Sequence, residues 1–98
     1  MIRNFKQTIK DYKGQPLKDG QGNEQMMSDV IGVQLFAAGG KKALAPDDKM
    51  RAYRLCVQMQ QHPETVELTT EDAALIKSIV DEGFVAGVYG QVVELIEQ

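Results

Sequence analysis

Thr69-Thr70-Glu71-Asp72-Ala73-Ala74-Leu75-Ile76-Lys77-Ser78-Ile79-Val80-Asp81-Glu82-Gly83 decides the fold class of this chain. A threonine followed three residues later by an acid is a near match to the capping box, with Asp72 standing where Glu or Gln is usual. Leu75, Ile76, Ile79 and Val80 then recur at helical spacing, so a helix starts here. Gly83 bends or ends it. Beyond the glycine, Phe84, Val88, Tyr89, Val92, Leu95 and Ile96 resume a helical stripe. The pattern leaves open whether residues 68–98 form one kinked helix or two. Gly87 and Gly90 share a face of that stripe, and close helix packing is the expected reason for them.

Upstream, the same signals recur. Ala45-Pro46-Asp47-Asp48 places proline at the first helical position, where its missing N–H costs nothing, and two aspartates at the positive end of the helix dipole. The spacing predicts a helix from Pro46 to about Gln61, stopped by His62-Pro63. Met50, Tyr53, Val57 and Gln60 form its expected apolar stripe, broadened by Leu55 and Met59. Ser28-Asp29 reads as an N-cap and first-turn acid, opening a helix through Val30, Ile31, Val33, Leu35 and Phe36 that Gly39-Gly40 ends. Val66, Glu67 and Leu68 read as an extended link or a very short strand.

The first 25 residues differ in character. Residues 3–9 alternate loosely, with Arg3, Phe5, Gln7 and Ile9 on one side, which suggests a short strand. Lys13-Gly14 forms a turn, residues 15–18 a return strand, and Asp19-Gly20-Gln21-Gly22-Asn23 a polar loop. The expectation is a hairpin arm, marginal by itself and in need of support from the helices or another subunit. No internal repeat is evident.

Ninety-eight residues bound the protein to a single domain with one core. No Trp, three Phe, three Tyr and five Met leave aliphatic side chains to do most of the packing. The formal charge is −3, unevenly placed. Residues 1–22 carry Arg3, Lys6, Lys10, Lys13 and Lys18 against Asp11 and Asp19; residues 64–98 carry eight acids against Lys77 alone. Such polarity can orient association; the plainer reading is a solvated acidic helix face and a lysine-guarded strand edge. Short apolar runs and an N-terminus without a signal-peptide pattern lead to an expectation of a cytoplasmic protein with no membrane span.

Reactive chemistry is sparse. Cys56 is the only cysteine, set among Tyr53, Leu55 and Val57, and is expected to be a small buried thiol. His62, the only histidine, stands six residues away on the same helix, a spacing that points the two in different directions. No catalytic triad, metal set or cofactor-binding residue can be assembled, so neither an enzyme nor a cofactor is expected. The G-x-G at Gly20 and Gly22 lacks the flanking strand, third glycine and lysine of a phosphate loop, and reads as a turn. A basic group at Lys41, Lys42, Lys49, Arg51 and Arg54 raises the alternative of a small regulatory nucleic-acid-binding protein, against which stands a pI near 5.0.

Two stretches carry a resemblance: Phe5-Lys6-Gln7-Thr8-Ile9-Lys10-Asp11-Tyr12-Lys13-Gly14-Gln15-Pro16-Leu17, and Leu68 through Lys77 with Gly90-Gln91-Val92-Val93-Glu94-Leu95-Ile96. In these the chain resembles small, largely uncharacterised proteins encoded in tailed phages and prophages. The resemblance implies an accessory or virion-assembly protein that acts through protein contacts. The glycine-rich segment from Asp81 to Tyr89 departs from the less interrupted helix the resemblance implies.

Together these readings predict a mainly α fold of three to four helices (residues 26–98) with an N-terminal β-hairpin arm (residues 1–25), α+β being the nearest competitor. The expected function is that of a homo-oligomeric protein-interaction module. Its expected partner-binding residues are Phe5, Ile9, Tyr12 and Leu17, an apolar set on an arm too short to fold alone.

Overall fold

The computed structural model describes all 98 residues. Four helices make up most of the chain: α1 (Met27–Phe36), α2 (Pro46–Gln61), α3 (Thr70–Gly83) and α4 (Ala86–Glu97). The fold is mainly α with a small β arm. Two short strands, β1 (Ile2–Arg3) and β2 (Val66–Glu67), pair antiparallel with Ile2 opposite Glu67 and Arg3 opposite Val66. The first strand therefore pairs with the α2–α3 link, and the Met1 amino group extends this pairing by donating to the Leu68 carbonyl at 2.9 Å. The Arg3 guanidinium donates to the Ile96 carbonyl at 3.1 Å and to the Gln98 carbonyl, where a cation suits the negative end of α4.

The hairpin turn stands where the glycine signals put it, but the arm it belongs to closes on itself. The Asp11 N–H donates to the Gln15 carbonyl and the Gly14 N–H to the Asp11 carbonyl. Gly14 has φ +82°, so this is a tight turn followed by a left-handed glycine. Eight residues on, Asp19, Gly22 (φ +85°) and Asn23 repeat the same bonds. In both turns one aspartate oxygen accepts two N–H groups, from Lys13 and Gln15 at Asp11 and from Gln21 and Asn23 at Asp19, at 2.8–3.0 Å. The linear reading finds no repeat, yet Lys10-Asp11-Tyr12-Lys13-Gly14-Gln15 and Lys18-Asp19-Gly20-Gln21-Gly22-Asn23 are two copies of one unit. Only the leading lysine and aspartate and the fifth-position glycine, Gly14 and Gly22, are identical between them.

The repeat generates a ring. Leu17 N–H donates to Ile9, Gln25 N–H to Leu17, and Ile9 N–H to Gln25, at 2.8, 2.9 and 2.9 Å. Bridges between Lys10 and Pro16, Lys18 and Glu24, and Thr8 and Met26 flank these bonds in the same eight-residue step. Three short segments thus close with approximate threefold symmetry, and between them they leave no open edge of the kind that invites pairing with another chain.

The third corner of the ring launches α1. Met27 and Ser28 N–H groups donate to the Gln7 and Phe5 carbonyls, so backbone of the arm satisfies donors that a helix start otherwise leaves unpaired. Ser28 consequently is not the N-cap. Met26 occupies that position without a side-chain bond, and Ser28 lies buried in the first turn.

The α2 bounds and the Pro46 start agree with expectation; the buried stripe does not. Ala52, Leu55, Cys56 and Met59 face inward, while Met50 is 46% and Tyr53 53% exposed. Polar neighbours suit this orientation. With this face inward, Arg51 reaches Asp72, the Gln58 amide reaches the Glu67 carbonyl and the Gln60 amide reaches the Ser28 carbonyl. Gly32 allows α1 to approach closely enough for the Cys56 thiol to donate to its carbonyl at 3.4 Å.

The last 30 residues form two helices, since Phe84 and Val85 are extended and separate α3 from α4. Gly83 packs against the end of the Gln34 side chain, which an added methyl group would displace. Gly87 and Gly90 meet nothing within 4 Å, so close packing is not their role. One buried cluster joins Phe5 and Ile9 of the arm to Ile31 and Leu35 of α1, Met59 of α2, Ile76 and Val80 of α3, and Val92 and Ile96 of α4.

Candidate interaction surface

The chain's reactive groups are dispersed. Cys56 is buried and His62 is an exposed cap on the last turn of α2. No three of the His, Cys, Asp and Glu side chains converge as a metal set. No helix is long and apolar enough to cross a membrane.

Opposite charges at the two ends of the chain meet partly within it. Lys6 pairs with Glu64 at 3.2 Å, bringing the basic arm to the acidic segment. Lys77 pairs with Glu97 across α3 and α4 at 2.6 Å. The basic group around α2 is also divided. Arg51 contacts Asp72 at 2.8 Å and Lys42 contacts Glu82 at 3.3 Å, leaving Lys41, Lys49 and Arg54 outside any ion pair.

Asp72 is the most elaborately held carboxylate. One oxygen accepts the Thr69 N–H at 2.9 Å and the other accepts Arg51, while its own N–H donates to the Thr69 hydroxyl at 3.1 Å. Partial burial raises its pKa, but the Thr69 and Arg51 bonds outweigh this and hold it below the ordinary 3.8. At Asp19 the Asn23 and Gln21 N–H groups likewise lower the pKa.

The four residues expected to bind a partner do not form one surface. Phe5 and Ile9 are wholly buried in the chain's own core, Leu17 is half-buried against that core, and only Tyr12 is open, at 93% exposure. The arm's apolar set serves intramolecular packing because the closed ring carries it onto the helices. Tyr12 sits at the first turn with the Lys13 ammonium 5.6 Å from its ring.

A different apolar surface lies across α1 and α2. Val33 and Phe36, three residues apart on α1, are 65% and 77% exposed. Phe36 and Tyr53 border one groove with Ala37, Ala38, Gly39, Gly40 and Lys49. Met50 lies one turn from Tyr53 and adjoins the patch, its other side bordering Arg51, Arg54 and Asp72. The signal for it was present in the sequence as two competing apolar stripes on α2 and as an α1 with apolar residues on all sides, a pattern that calls for burial all round.

From the exposures of Val33, Phe36, Met50 and Tyr53, the patch amounts to roughly 450–500 Å², within the range of the largest, often functional, patch on a monomer. Compared with known protein families, curated proteins and solved structures, the chain finds no match.

Proposed function

We propose that this protein is a non-enzymatic interaction module that engages protein through the outer face of α1 and α2. The carrying observation is Phe36, a large aromatic 77% exposed beside a groove that it shares with Tyr53, with Val33 and Met50 also exposed on the same two helices. Aromatic anchors next to grooves supply most of the energy of protein contacts. An accessory or assembly role, of the kind implied by the resemblance to small tailed-phage proteins, fits a chain whose chemistry is packing and shape. Association with nucleic acid is less favoured, because Arg51 and Lys42 are engaged by carboxylates.

Replacing Phe36 with a photoreactive benzophenone amino acid tests the reading in the cell that makes the protein. Irradiation is expected to yield protein adducts from position 36 and none from a control at exposed Glu64. Absence of any adduct at position 36 refutes the proposal.

A further inference from the structure

We infer that the occupant of this face is a second copy of the chain, bound about a twofold axis with the two α1 helices antiparallel. The inference rests on the interaction reading above and adds the identity of the partner. A twofold interface must be complementary to itself, so every feature needs its counterpart on the same surface. The α1–α2 face meets that requirement in charge and in area.

Asp29 is the only charged residue in α1 and stands exposed in its first turn. At the other end, the Lys49 side chain lies over Gly39, just past the last turn. Val33 and Phe36 fall midway between. Seven residues of α1, roughly 10 Å of helix, and the turn at Ala37–Gly39 separate the charged ends. Rotation about an axis near the middle of α1 brings each Asp29 toward the other copy's Lys49 and sets the apolar residues against one another.

Area also fits. A standard interface takes roughly 800 Å² from each partner, of which about 55–65% is apolar. That requires an apolar contribution of about 450–500 Å², close to the total surface that Val33, Phe36, Met50 and Tyr53 expose. The closed N-terminal ring offers no comparable edge.

Sedimentation equilibrium of the purified full-length chain tests this, with circular dichroism to verify helix content in each variant. At about 50 µM the wild type is expected at twice its 10.9 kDa mass. Phe36→Glu is expected to weaken association at least about 30-fold, as for loss of a central anchor. Asp29→Lys and Lys49→Glu should each weaken it roughly 5- to 10-fold, and the double variant should recover dimer. The two positions lie at opposite ends of α1, so recovery reports pairing between copies.

A monomeric wild type up to about 500 µM overturns the inference, as does a dimer that survives Phe36→Glu. Loss in both single charge variants without recovery in the double variant overturns the antiparallel arrangement. The cellular photo-crosslink separates this failure from failure of the interaction reading: adducts only to other proteins remove the second copy and leave the surface assigned, whereas no adduct removes both.

Discussion

Replacing Asp72 with alanine probes the contact that ties the α3 cap to α2. The carboxylate fills half of a capping box through the Thr69 N–H and receives Arg51 at 2.8 Å, its own side chain only 13% exposed. Loss of the cap costs about 1 kcal/mol. Loss of a partly exposed ion pair costs about 0.5 kcal/mol, and the better helix propensity of alanine returns about 0.5 kcal/mol. A net destabilisation near 1 kcal/mol at neutral pH is expected, lowering Tm by about 4–8 °C. Thermal and urea unfolding of wild type, Asp72→Ala, Arg51→Ala and the double variant measure it, with a coupling of about 0.5 kcal/mol expected between the two positions. The pH dependence follows from the lowered pKa. Asp72 in the folded chain titrates below its unfolded value of 3.8, so its stabilisation is present above that value and disappears as pH falls through the folded pKa. Wild type and Asp72→Ala should therefore converge in stability as pH falls through the folded pKa of Asp72. A deficit below about 0.3 kcal/mol at neutral pH, or one that persists undiminished in acid, would refute the assignment to the carboxylate.

The orientation of α2 gives a second expectation. Met59→Ala should cost about 2–5 kcal/mol because Met59 is wholly buried, whereas Met50→Ala, examined by urea unfolding at a concentration where the chain is monomeric, should cost less than about 0.5 kcal/mol. Equal losses would mean that the helix is rotated. Gly14→Ala and Gly22→Ala place a side chain at φ +82° and +85° without any steric contact, so each should lose about 1–2 kcal/mol from backbone conformation alone. Amide exchange should show faster opening of Ile9, Leu17 and Gln25 in both variants, since the three share one ring. Gly87→Ala and Gly90→Ala lie within α4 with open space around them, and each should raise stability by about 0.5–1 kcal/mol in thermal melts. Destabilisation by either would reveal a close neighbour.

Short-range physics made much of this molecule legible. Pro46 with two following aspartates starts α2, Thr69 and Asp72 start α3, and left-handed glycines make the two arm turns; each signal involves partners no more than four residues apart. Local dihedral preference and capping act within that distance and need no knowledge of the rest of the chain. The mainly α architecture, the two arm turns and the break near Gly83 follow from them.

Tertiary structure alone decided which surfaces stay open. Two stripes on α2 were each apolar enough to be core, and the choice fell to Ala52, Leu55, Cys56 and Met59, an orientation in which their polar neighbours Arg51, Gln58 and Gln60 find partners on α3, β2 and α1. The pairing of Ile2 and Arg3 with Val66 and Glu67, and the ring joining Ile9, Leu17 and Gln25, depend on contacts distant in sequence. Periodicity marks a side chain as able to be buried, but burial is a relation between elements. Phe5 and Ile9 thus became core while Phe36 and Tyr53 were left facing outward.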